Sequence, residues 1–540
     1  MKHILNIIKG IPVVLLCAAV TGCTGDFEEY NTNPYEPTME EMNRDNAMVS
    51  SLIEGMIKSL CQVQENGVQE IEMMIGGEYG GMTTAAHQWN EGADHDYAGF
   101  NPRDVDCNYA YSEIMGQIGT GYFRLKEISG GTGDVFALAT IIRVASMLRL
   151  SDIYGPMPYS QQDPDKVVVP YDSEKDLYNY LISDLDGAIQ ALSSLALQGA
   201  SNTVLNAAGD PVFKGSYNKW VKFANTVKLR MAIRMLCTND AEAEAKAKEM
   251  VTEVVNDPVG PMLLAEDRAV TTSFDKGRNL YAMISNDWGN DCRANANIVY
   301  YLKCYNDPRG YLYVTGFPST PGVLQGAATG TGATDSGRNY GDFAKVNFAD
   351  DDPQWIMSAS EAWFLLAEAS LNGCTISDGT NSTLAGRDAQ GCYEEGVRVS
   401  FRERGAQIGD YLEEGHSVSS AAFNDGINDT QDLHISEKAP LKWSSDKNQQ
   451  LAQILTQKFI ANFPNGFETW ADVRRMGYPV FLKPVSRNPE VTQVSEMRRL
   501  RFPQKEYTTN AQNVAAATAM LNGGADKFTT RLWWDNPEYD

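Results

Sequence analysis

Two segments of the sequence combine aromatic rings with amide and carboxylate side chains. Aromatic faces stack on the apolar CH faces of sugar rings, while amides and carboxylates hydrogen-bond to hydroxyl groups. The first segment supplies Tyr79, His87, Gln88, Trp89 and Asn90, and the second supplies Asn286, Asp287, Trp288, Tyr300 and Tyr301. Both patterns predict non-covalent ligand binding. The alternative is that Trp89 and Trp288 anchor their loops in the protein body, because tryptophan is highly buried on average.

Motifs of the common enzyme classes are missing from the sequence. There is no H-E-x-x-H, no G-x-S-x-G, no G-x-x-x-x-G-K-[ST] and no complete G-x-G-x-x-G. We therefore predict no catalytic residues. A glycoside hydrolase stays open as an alternative, because the separation of about 5 to 9 Å between two catalytic carboxylates is invisible in a sequence.

Acidic clusters are the only candidates for metal binding. They are formed by His87 with Asp94, His95 and Asp96, by Asp350–Asp352, and by the run 425–432. None of them has the spacing of an EF-hand loop. We predict solvated acidic loops, no metal site and no cofactor, and the sequence leaves a structural calcium ion open.

The amino terminus has the layout of a secretory signal. Lys2 and Lys9 precede an apolar core, 11–20, that is shorter than the roughly 20 residues of a membrane-spanning helix. Thr21-Gly22-Cys23 then resembles the lipobox of bacterial lipoproteins. This resemblance predicts that residues 1–22 are removed and that Cys23 is lipidated. Bulky Leu15 and Leu16 make Cys17 a poorer candidate.

Asp26, Glu28 and Glu29 follow the predicted lipidation site. Acidic residues in this position resemble the surface-export signal of Bacteroidetes lipoproteins, so we expect an outer-membrane protein that faces the cell exterior. The alternative is an ordinary secreted protein with an unpaired cysteine near its start.

Composition excludes several classes of partner. The 540 residues carry a net charge of −25, whereas nucleic acids and anionic lipids are bound by clustered Lys and Arg.

Beyond Cys23 the cysteines are odd in number, widely scattered and without a C-x-x-C pair. They are typical of buried thiols rather than of a disulfide framework.

Apolar residues at spacings of three and four predict a mainly α-helical protein. Helices are expected over 45–64, 107–128, 134–153, 173–197, 218–237, 240–256, 358–373, 387–404, 447–463 and 467–476. Ser358 and Glu361 match a capping box, and Trp220, Phe223 and Trp363 lie on helical stripes typical of a core. After an extended leader, 23–44, we predict a single domain, 45–540. Its helical scaffold covers about 45–75, 107–256, 355–405 and 447–476, with loop-rich regions at about 76–106, 257–354, 406–446 and 477–540.

Five segments in order are similar to one known family. They are Phe27-Glu-Glu-Tyr-Asn-Thr-Asn-Pro34, Ser151-Asp-Ile-Tyr-Gly-Pro-Met-Pro-Tyr-Ser160, Trp220-Val-Lys-Phe-Ala-Asn-Thr-Val-Lys-Leu-Arg-Met-Ala-Ile-Arg234, Phe463-Pro-Asn-Gly-Phe-Glu-Thr-Trp470 and Arg501-Phe-Pro-Gln-Lys-Glu-Tyr507. Together they resemble the SusD/RagB family of nutrient-binding outer-membrane lipoproteins, and the resemblance runs from residue 23 to the carboxyl terminus.

The resemblance implies a scaffold of tetratricopeptide-like helix pairs that carries a loop-rich ligand region. It also implies a partner, a SusC-like TonB-dependent β-barrel transporter, and no catalytic machinery. The expected function is capture of an oligosaccharide, with a peptide as the alternative ligand, and its delivery to that transporter. A surface glycoside hydrolase and a structural lid without a ligand site of its own are the alternative functions. The sequence does not identify the glycan or peptide.

Overall fold

A computed structural model describes residues 47–85, 100–205, 209–288, 292–316, 326–327, 343–376, 381–416, 421–423, 431–433, 439–482, 488, 490–491 and 497–535. The predicted signal peptide, Cys23, the leader and the segment His87–Asn90 lie outside these residues. The chain divides into two compact units, Met1–Met48 and Val49–Asp540. All contacts described below belong to the second unit.

Helices make up most of the described chain. In chain order they are α1 (Ala47–Ile57), α2 (Glu65–Gly67), α3 (Asp104–Ser129), α4 (Gly133–Tyr154), α5 (Glu174–Leu197), α6 (Tyr217–Met235), α7 (Ala241–Asn256), α8 (Leu280–Asn286), α9 (Ala296–Cys304), α10 (Gly310–Tyr313), α11 (Ala359–Leu371), α12 (Ala389–Arg404), α13 (Lys447–Ala461), α14 (Phe467–Met476), α15 (Gln504–Thr509) and α16 (Ala511–Met520). The prediction of a mainly α fold is confirmed.

Successive long helices pack against each other as pairs. Helices α3 to α7 each contact the next, α11 packs on α12 and α13, and α6 contacts α11 and so joins the two groups. Several of these helices begin where a Ser or Asp side chain accepts a backbone N–H, as Ser173 does for α5 and Asp240 for α7. These local signals are why the predicted helix ends lie close to the observed ones.

Short strands form three two-stranded antiparallel sheets among the described residues. The strands are β1 (Thr83–Ala85), β2 (Ala269–Thr271), β3 (Cys292–Ala294), β4 (Gln354–Met357), β5 (Ala421–Phe423) and β6 (Gln431–Leu433). Strand β1 pairs with β3, β2 with β4, and β5 with β6. Each sheet therefore joins two segments in which the sequence analysis predicts no helix or strand.

Three regions differ from the sequence-based expectation. The helix expected over 45–64 ends at Ile57, and a buried π-helix, Val68–Gly77, follows α2. The region 257–354, expected to be loop, contains β2, α8, β3, α9 and α10, and the carboxyl-terminal tail contains α15 and α16. With 7 residues in α8 and 9 in α9, these elements are too short for periodicity to reveal.

The capping box predicted at Ser358 and Glu361 is wrong. Ser358 makes no side-chain cap, and its hydroxyl donates to the Ala461 carbonyl at 3.2 Å. The buried carboxylate of Glu403, on α12, instead accepts the Ala359 N–H at 2.9 Å and the Ser360 hydroxyl at 2.5 Å. A carboxylate from a neighbouring helix therefore satisfies the first turn of α11, a partner that a local motif cannot reveal.

A buried network of charges joins α4, α6 and α14. The Arg234 guanidinium contacts Asp152 in a two-pronged pair, Nη2 to Oδ2 at 2.7 Å and Nε to Oδ1 at 3.0 Å. Its Nη2 also lies 2.9 Å from Glu468 Oε1. The exposed fraction of the Arg234 side chain is 2% and that of Glu468 is 6%, so solvent does not screen these pairs.

The network extends to α11 and α13. Arg230 pairs with Glu361 at 2.6 Å and lies 3.4 Å from Glu468. Lys458 lies 3.7 Å from Glu468 and 3.1 Å from Asp472. Burial by itself raises the pKa of Glu468, but the charges of Arg230, Arg234 and Lys458 outweigh it and hold the pKa well below its usual range.

The carboxyl-terminal tail is bound to the same region. Arg474 Nη1 donates to the Asp152 carbonyl at 2.6 Å, and Arg499 Nη2 donates to the Tyr154 carbonyl at 2.8 Å. The Trp470 indole N–H donates to the Met497 carbonyl at 2.8 Å. Segments far apart in sequence thus meet at the end of α4.

Packing confirms the core residues and the free thiols. Trp220, Phe223 and Trp363 are each 1% exposed. The seven described cysteines are Cys61, Cys107, Cys237, Cys292, Cys304, Cys374 and Cys392, and all are buried and free. Burial raises the pKa of the Cys107 thiol to about 12, which leaves it unreactive at neutral pH.

Replacing Glu468 with Gln is expected to lower the free energy of unfolding by about 3–5 kcal/mol at pH 7, because buried Arg234 and Lys458 and the largely buried Arg230 lose a shared carboxylate. Urea unfolding of the chain from Thr24 onward measures this change. Since the pKa of Glu468 is depressed in the folded state, its stabilising effect is present above the unfolded pKa of about 4.3 and disappears as the pH falls below it. The difference between wild type and variant therefore shrinks in acid.

Glu394→Gln is the matched control. Glu394 is 30% exposed and pairs with the 40% exposed Arg398 on α12, so its loss is expected to change stability by less than about 1 kcal/mol. Equal effects of the two substitutions would show that the buried network does not stabilise the scaffold.

Candidate ligand-binding site

The β1–β3 sheet pairs the strand that ends just before His87–Asn90 in the sequence with the strand that begins just after Trp288. Thr83 pairs with Ala294 and Ala85 with Cys292 in an antiparallel register. The chain therefore leaves β1 after Ala85, towards His87–Asn90, at the same end of the sheet at which it enters β3 after Trp288. This juxtaposition is long-range and has no signal in the sequence.

Strand β1 is fixed by buried hydrogen bonds. The Glu78 carboxylate, 1% exposed, accepts the Thr84 hydroxyl at 2.7 Å and the Ala85 N–H at 3.2 Å. The Thr83 hydroxyl donates to the Met73 carbonyl of the π-helix at 2.8 Å. A Cβ at Gly77 would lie 1.8 Å from the Thr83 hydroxyl, so only glycine allows this close approach.

Further backbone hydrogen bonds hold the carboxyl end of strand β3. The Ala294 N–H donates to the Ala344 carbonyl at 2.9 Å, and the Asn295 N–H donates to the Met82 carbonyl at 3.0 Å. The Asn295 side chain then caps α9 by accepting the Asn297 N–H at 2.9 Å. The end of the sheet is therefore a rigid base for the segments that extend from it.

Two polar residues, Asn286 and Asp287, directly precede Trp288 at the end of α8. Asp287 contacts Arg278 at 2.5 Å, and the other arm of the Arg278 guanidinium contacts Asp350 at 2.5 Å. Asn286 is exposed and accepts a hydrogen bond from Lys345 Nζ at 3.4 Å. Trp288 itself is half-buried and packs against the core. A partly exposed indole among amide, carboxylate and cationic groups suits a ligand with both apolar faces and hydroxyl groups.

Lys345 is the cation nearest to the Asn286 amide in this group. Burial and the charge of Arg293 lower its pKa, and the charge of Asp287 partly opposes them. The sequence analysis did not identify Arg278, which contacts Asp287, or Lys345, which contacts Asn286. Asp350 was noticed only as part of an acidic run, because its pairing with Arg278 spans two distant segments.

Three predicted contact residues lie in the core. Tyr79 is 0% exposed and packs between Phe100 and Trp470, with ring centroids at 5.7 and 5.1 Å. Tyr300 and Tyr301, on α9, are 5% and 3% exposed, and the Tyr301 hydroxyl donates to the Val480 carbonyl at 2.9 Å. These rings do not face solvent here, and their role as ligand contacts stays a prediction. The other four, His87, Gln88, Trp89 and Asn90, lie outside the described residues.

A family model named SusD-like, described as "Susd and RagB outer membrane lipoprotein", matches residues 29–535. The chain belongs to this family. The family is one of outer-membrane lipoproteins, and its model covers nearly the whole sequence, including all the helix pairs described above. No curated protein matches the chain.

Solved SusD-like structures share the fold. A SusD-like protein from Bacteroides thetaiotaomicron is 33% identical with a TM-score of 0.80, and the match covers 91% of this chain and 99% of that one. A SusD homologue from Bacteroides uniformis is 31% identical with a TM-score of 0.80, over 90% and 99% of the two chains. A chitin-binding SusD homologue from Flavobacterium johnsoniae is 26% identical with a TM-score of 0.79, over 91% and 99%. The tetratricopeptide-like helical fold is thereby confirmed.

Two features are missing from the part of this SusD-like chain that the structure describes. No described helix is both long and apolar enough to cross a membrane. No group of three or more His, Cys, Asp or Glu side chains is placed to hold a metal ion in the described ranges. His416, which the sequence places beside Ser417, contacts Asp410 at 3.0 Å and the Tyr305 carbonyl at 2.7 Å.

Trp288→Ala is expected to weaken oligosaccharide binding about tenfold, because stacking on an aromatic ring contributes on the order of 0.5–1.5 kcal/mol beyond the buried area. Calorimetric titration with a bound glycan measures the change. Trp443→Ala is the control, since Trp443 is also partly buried but packs on Tyr393, with centroids 5.2 Å apart, away from the β1–β3 sheet. Equal affinities of the Trp288 variant and wild type for the glycan would show that the Trp288 indole does not contribute to binding.

Proposed function

We propose that this SusD-like protein is a lipid-anchored binding protein on the cell surface that captures an oligosaccharide and delivers it to a SusC-like TonB-dependent transporter. A peptide is the alternative ligand. The β1–β3 register supports this proposal most directly. It pairs Ala85, after which the first aromatic segment continues, with Cys292, which follows the second aromatic segment. Binding is non-covalent, and no residue is assigned a catalytic role.

Chain geometry supports a shared site for the two tryptophans. Trp89 is four residues beyond Ala85, and Trp288 is four residues before Cys292, the partner of Ala85. Since a chain extends by at most about 3.6 Å per residue, each tryptophan backbone lies within roughly 14 Å of that end of the sheet. An oligosaccharide of a few units spans such a distance, and the proposed ligand contacts both segments.

Polar groups near Trp288 supply the hydrogen bonds. The Arg278 guanidinium is held between Asp287 and Asp350, so these carboxylates have little freedom and keep oxygen lone pairs for sugar hydroxyls. The exposed Asn286 amide accepts from Lys345 and has two N–H donors of its own. The chitin-binding relative, at 26% identity, supports a saccharide as the ligand class.

Titration of the chain from Thr24 onward against plant, host and microbial oligosaccharides and a peptide digest tests the proposal, with and without calcium. Binding of one glycan class, recovered intact after incubation, is the expected result. Chromatography of the recovered ligand separates binding from hydrolysis, because a hydrolase shortens its substrate. Binding of peptides alone would show that the ligand is a peptide and not a saccharide. Cleavage of the glycan would contradict the proposal that the protein binds its ligand without catalysis.

Anchoring and delivery are tested in cells of the source organism. Cys23→Ser in the full chain is expected to release the protein from the membrane fraction, while Cys17→Ser leaves it there, because only Cys23 follows small residues. Co-purification of a TonB-dependent β-barrel with the wild-type protein is the expected result for the transporter partner. Retention of the Cys23 variant in membranes would place the anchor elsewhere.

A further inference from the structure

An open cavity between α10, β4 and α12 carries two arginines that have no carboxylate partner among the described residues. Its volume is about 430 Å³, within the range of small-molecule sites. The polar and aromatic lining residues that matter are Arg268, Arg404, Tyr313, Trp355, Asp352 and Glu403. We propose that this cavity binds a carboxylate group of a small acidic ligand. The proposal does not depend on the site at Trp288.

Arg404 is positioned before any ligand arrives. Its guanidinium carbon lies 3.4 Å from the centroid of Trp355 and 5.1 Å from that of Tyr313. Its Nη2 donates to the Ala461 carbonyl at 3.1 Å and also to the Phe463 carbonyl. Its Nε is buried and has no hydrogen-bond partner within the described chain. A guanidinium fixed in this way offers its remaining N–H groups in a planar fork, the geometry that a carboxylate accepts.

Arg268 adds a second charge at the same cavity. Its guanidinium carbon lies 5.8 Å from the Trp355 centroid, one arm donates to the Ala265 carbonyl at 3.1 Å, and its buried Nε also has no partner. Neither arginine makes an ion pair with any described residue, whereas buried Arg230, Arg234 and Arg475 each have carboxylate partners. An unpaired cation is costly to bury, so an incoming anion is favoured.

The third group is the Tyr313 hydroxyl. Tyr313 is 2% exposed, and its buried hydroxyl makes no hydrogen bond within the described residues. A buried hydroxyl without a partner costs free energy that a ligand oxygen recovers. Three donors at the cavity, the Nε–H groups of Arg268 and Arg404 and the Tyr313 O–H, therefore have no hydrogen-bond partner among the described residues.

The two carboxylates that line the cavity are already engaged. Glu403 caps α11 through the Ala359 N–H and the Ser360 hydroxyl, and Asp352 accepts the Ala349 N–H at 2.8 Å. Burial lowers the pKa of the Arg404 guanidinium, and the neighbouring charges of Arg309 and Arg268 lower it further despite the opposing effects of Tyr313 and Glu403. A bound anion reverses this effect.

A carboxylate reaches such a site either on an acidic sugar or at the end of a peptide. Saturation-transfer NMR and calorimetry with the chain from Thr24 onward distinguish these sources by pairs of probes. D-galacturonate is compared with D-galactose, and N-acetyl-diglycine is compared with its amide. We expect at least one acid to bind tenfold or more tightly than its neutral counterpart, because hydrogen bonds to charged groups contribute about 1.5–3 kcal/mol each.

Four variants locate the binding. Arg268→Gln and Arg404→Gln are expected to remove the preference for the acid, and Tyr313→Phe to reduce it several-fold. Arg398→Gln, an exposed arginine on the same helix as Arg404, is expected to leave it unchanged. Tyr313→Phe removes only an oxygen without a partner, so it keeps the test valid if Arg404→Gln fails to fold.

Preference for galacturonate alone assigns the cavity to acidic sugars, and preference for the peptide acid alone assigns it to peptide termini. Preference for both identifies a general carboxylate site. The proposal is overturned if neither acid binds more tightly than its neutral counterpart, or if the preference survives in the folded Arg268 and Tyr313 variants.

Discussion

The carboxylate of Glu468 is shared by two buried cations, Arg234 and Lys458, and by the largely buried Arg230, and the arrangement of four scaffold helices depends on these contacts. Arg230 and Arg234 come from α6, Lys458 comes from α13, and Asp152 at the end of α4 takes the other face of Arg234. Removing any one member leaves a charge buried without its partner, which proteins tolerate poorly. The four helices are therefore fixed in one arrangement by charge as well as by apolar packing, and the helix ends that carry these residues cannot shift independently.

The network also reaches the candidate binding site through a short series of contacts. Gly466 and Phe467, at the start of α14, lie directly before Glu468 and press against Gly76 and Gly80, where an added Cβ at Gly466 would come within 2.0 Å of the Gly76 carbonyl. The π-helix that contains Gly76 is held by the Arg149–Glu72 pair at 2.7 Å and supports β1 through Met73 and Thr83. A rigid scaffold therefore presents the end of the β1–β3 sheet.

The sequence predicted the scaffold far better than the site, for a physical reason. Long amphipathic helices with Ser or Asp caps, such as α5 and α7, can be predicted from the local sequence, and three of the five family-like segments contribute Asp152, Arg234 and Glu468 to one network. The failure at Ser358 shows the limit, because Glu403 from another helix took the place of the local cap. At the site, aromatic composition selected Trp288, but it also selected Tyr79, Tyr300 and Tyr301, whose rings are buried. Arg278 and Asp350 were missed because their contact joins segments that no local pattern relates.

A crystal structure of the chain from Thr24 onward, with the oligosaccharide that titration identifies, would show whether the ligand binds at the end of the β1–β3 sheet. We expect sugar rings against Trp288, with Trp89 on the same ligand. We also expect sugar hydroxyl groups within hydrogen-bonding distance of Asn286 or Asp287. A ligand bound elsewhere on the protein, with Trp288 covered only by protein atoms, would contradict it.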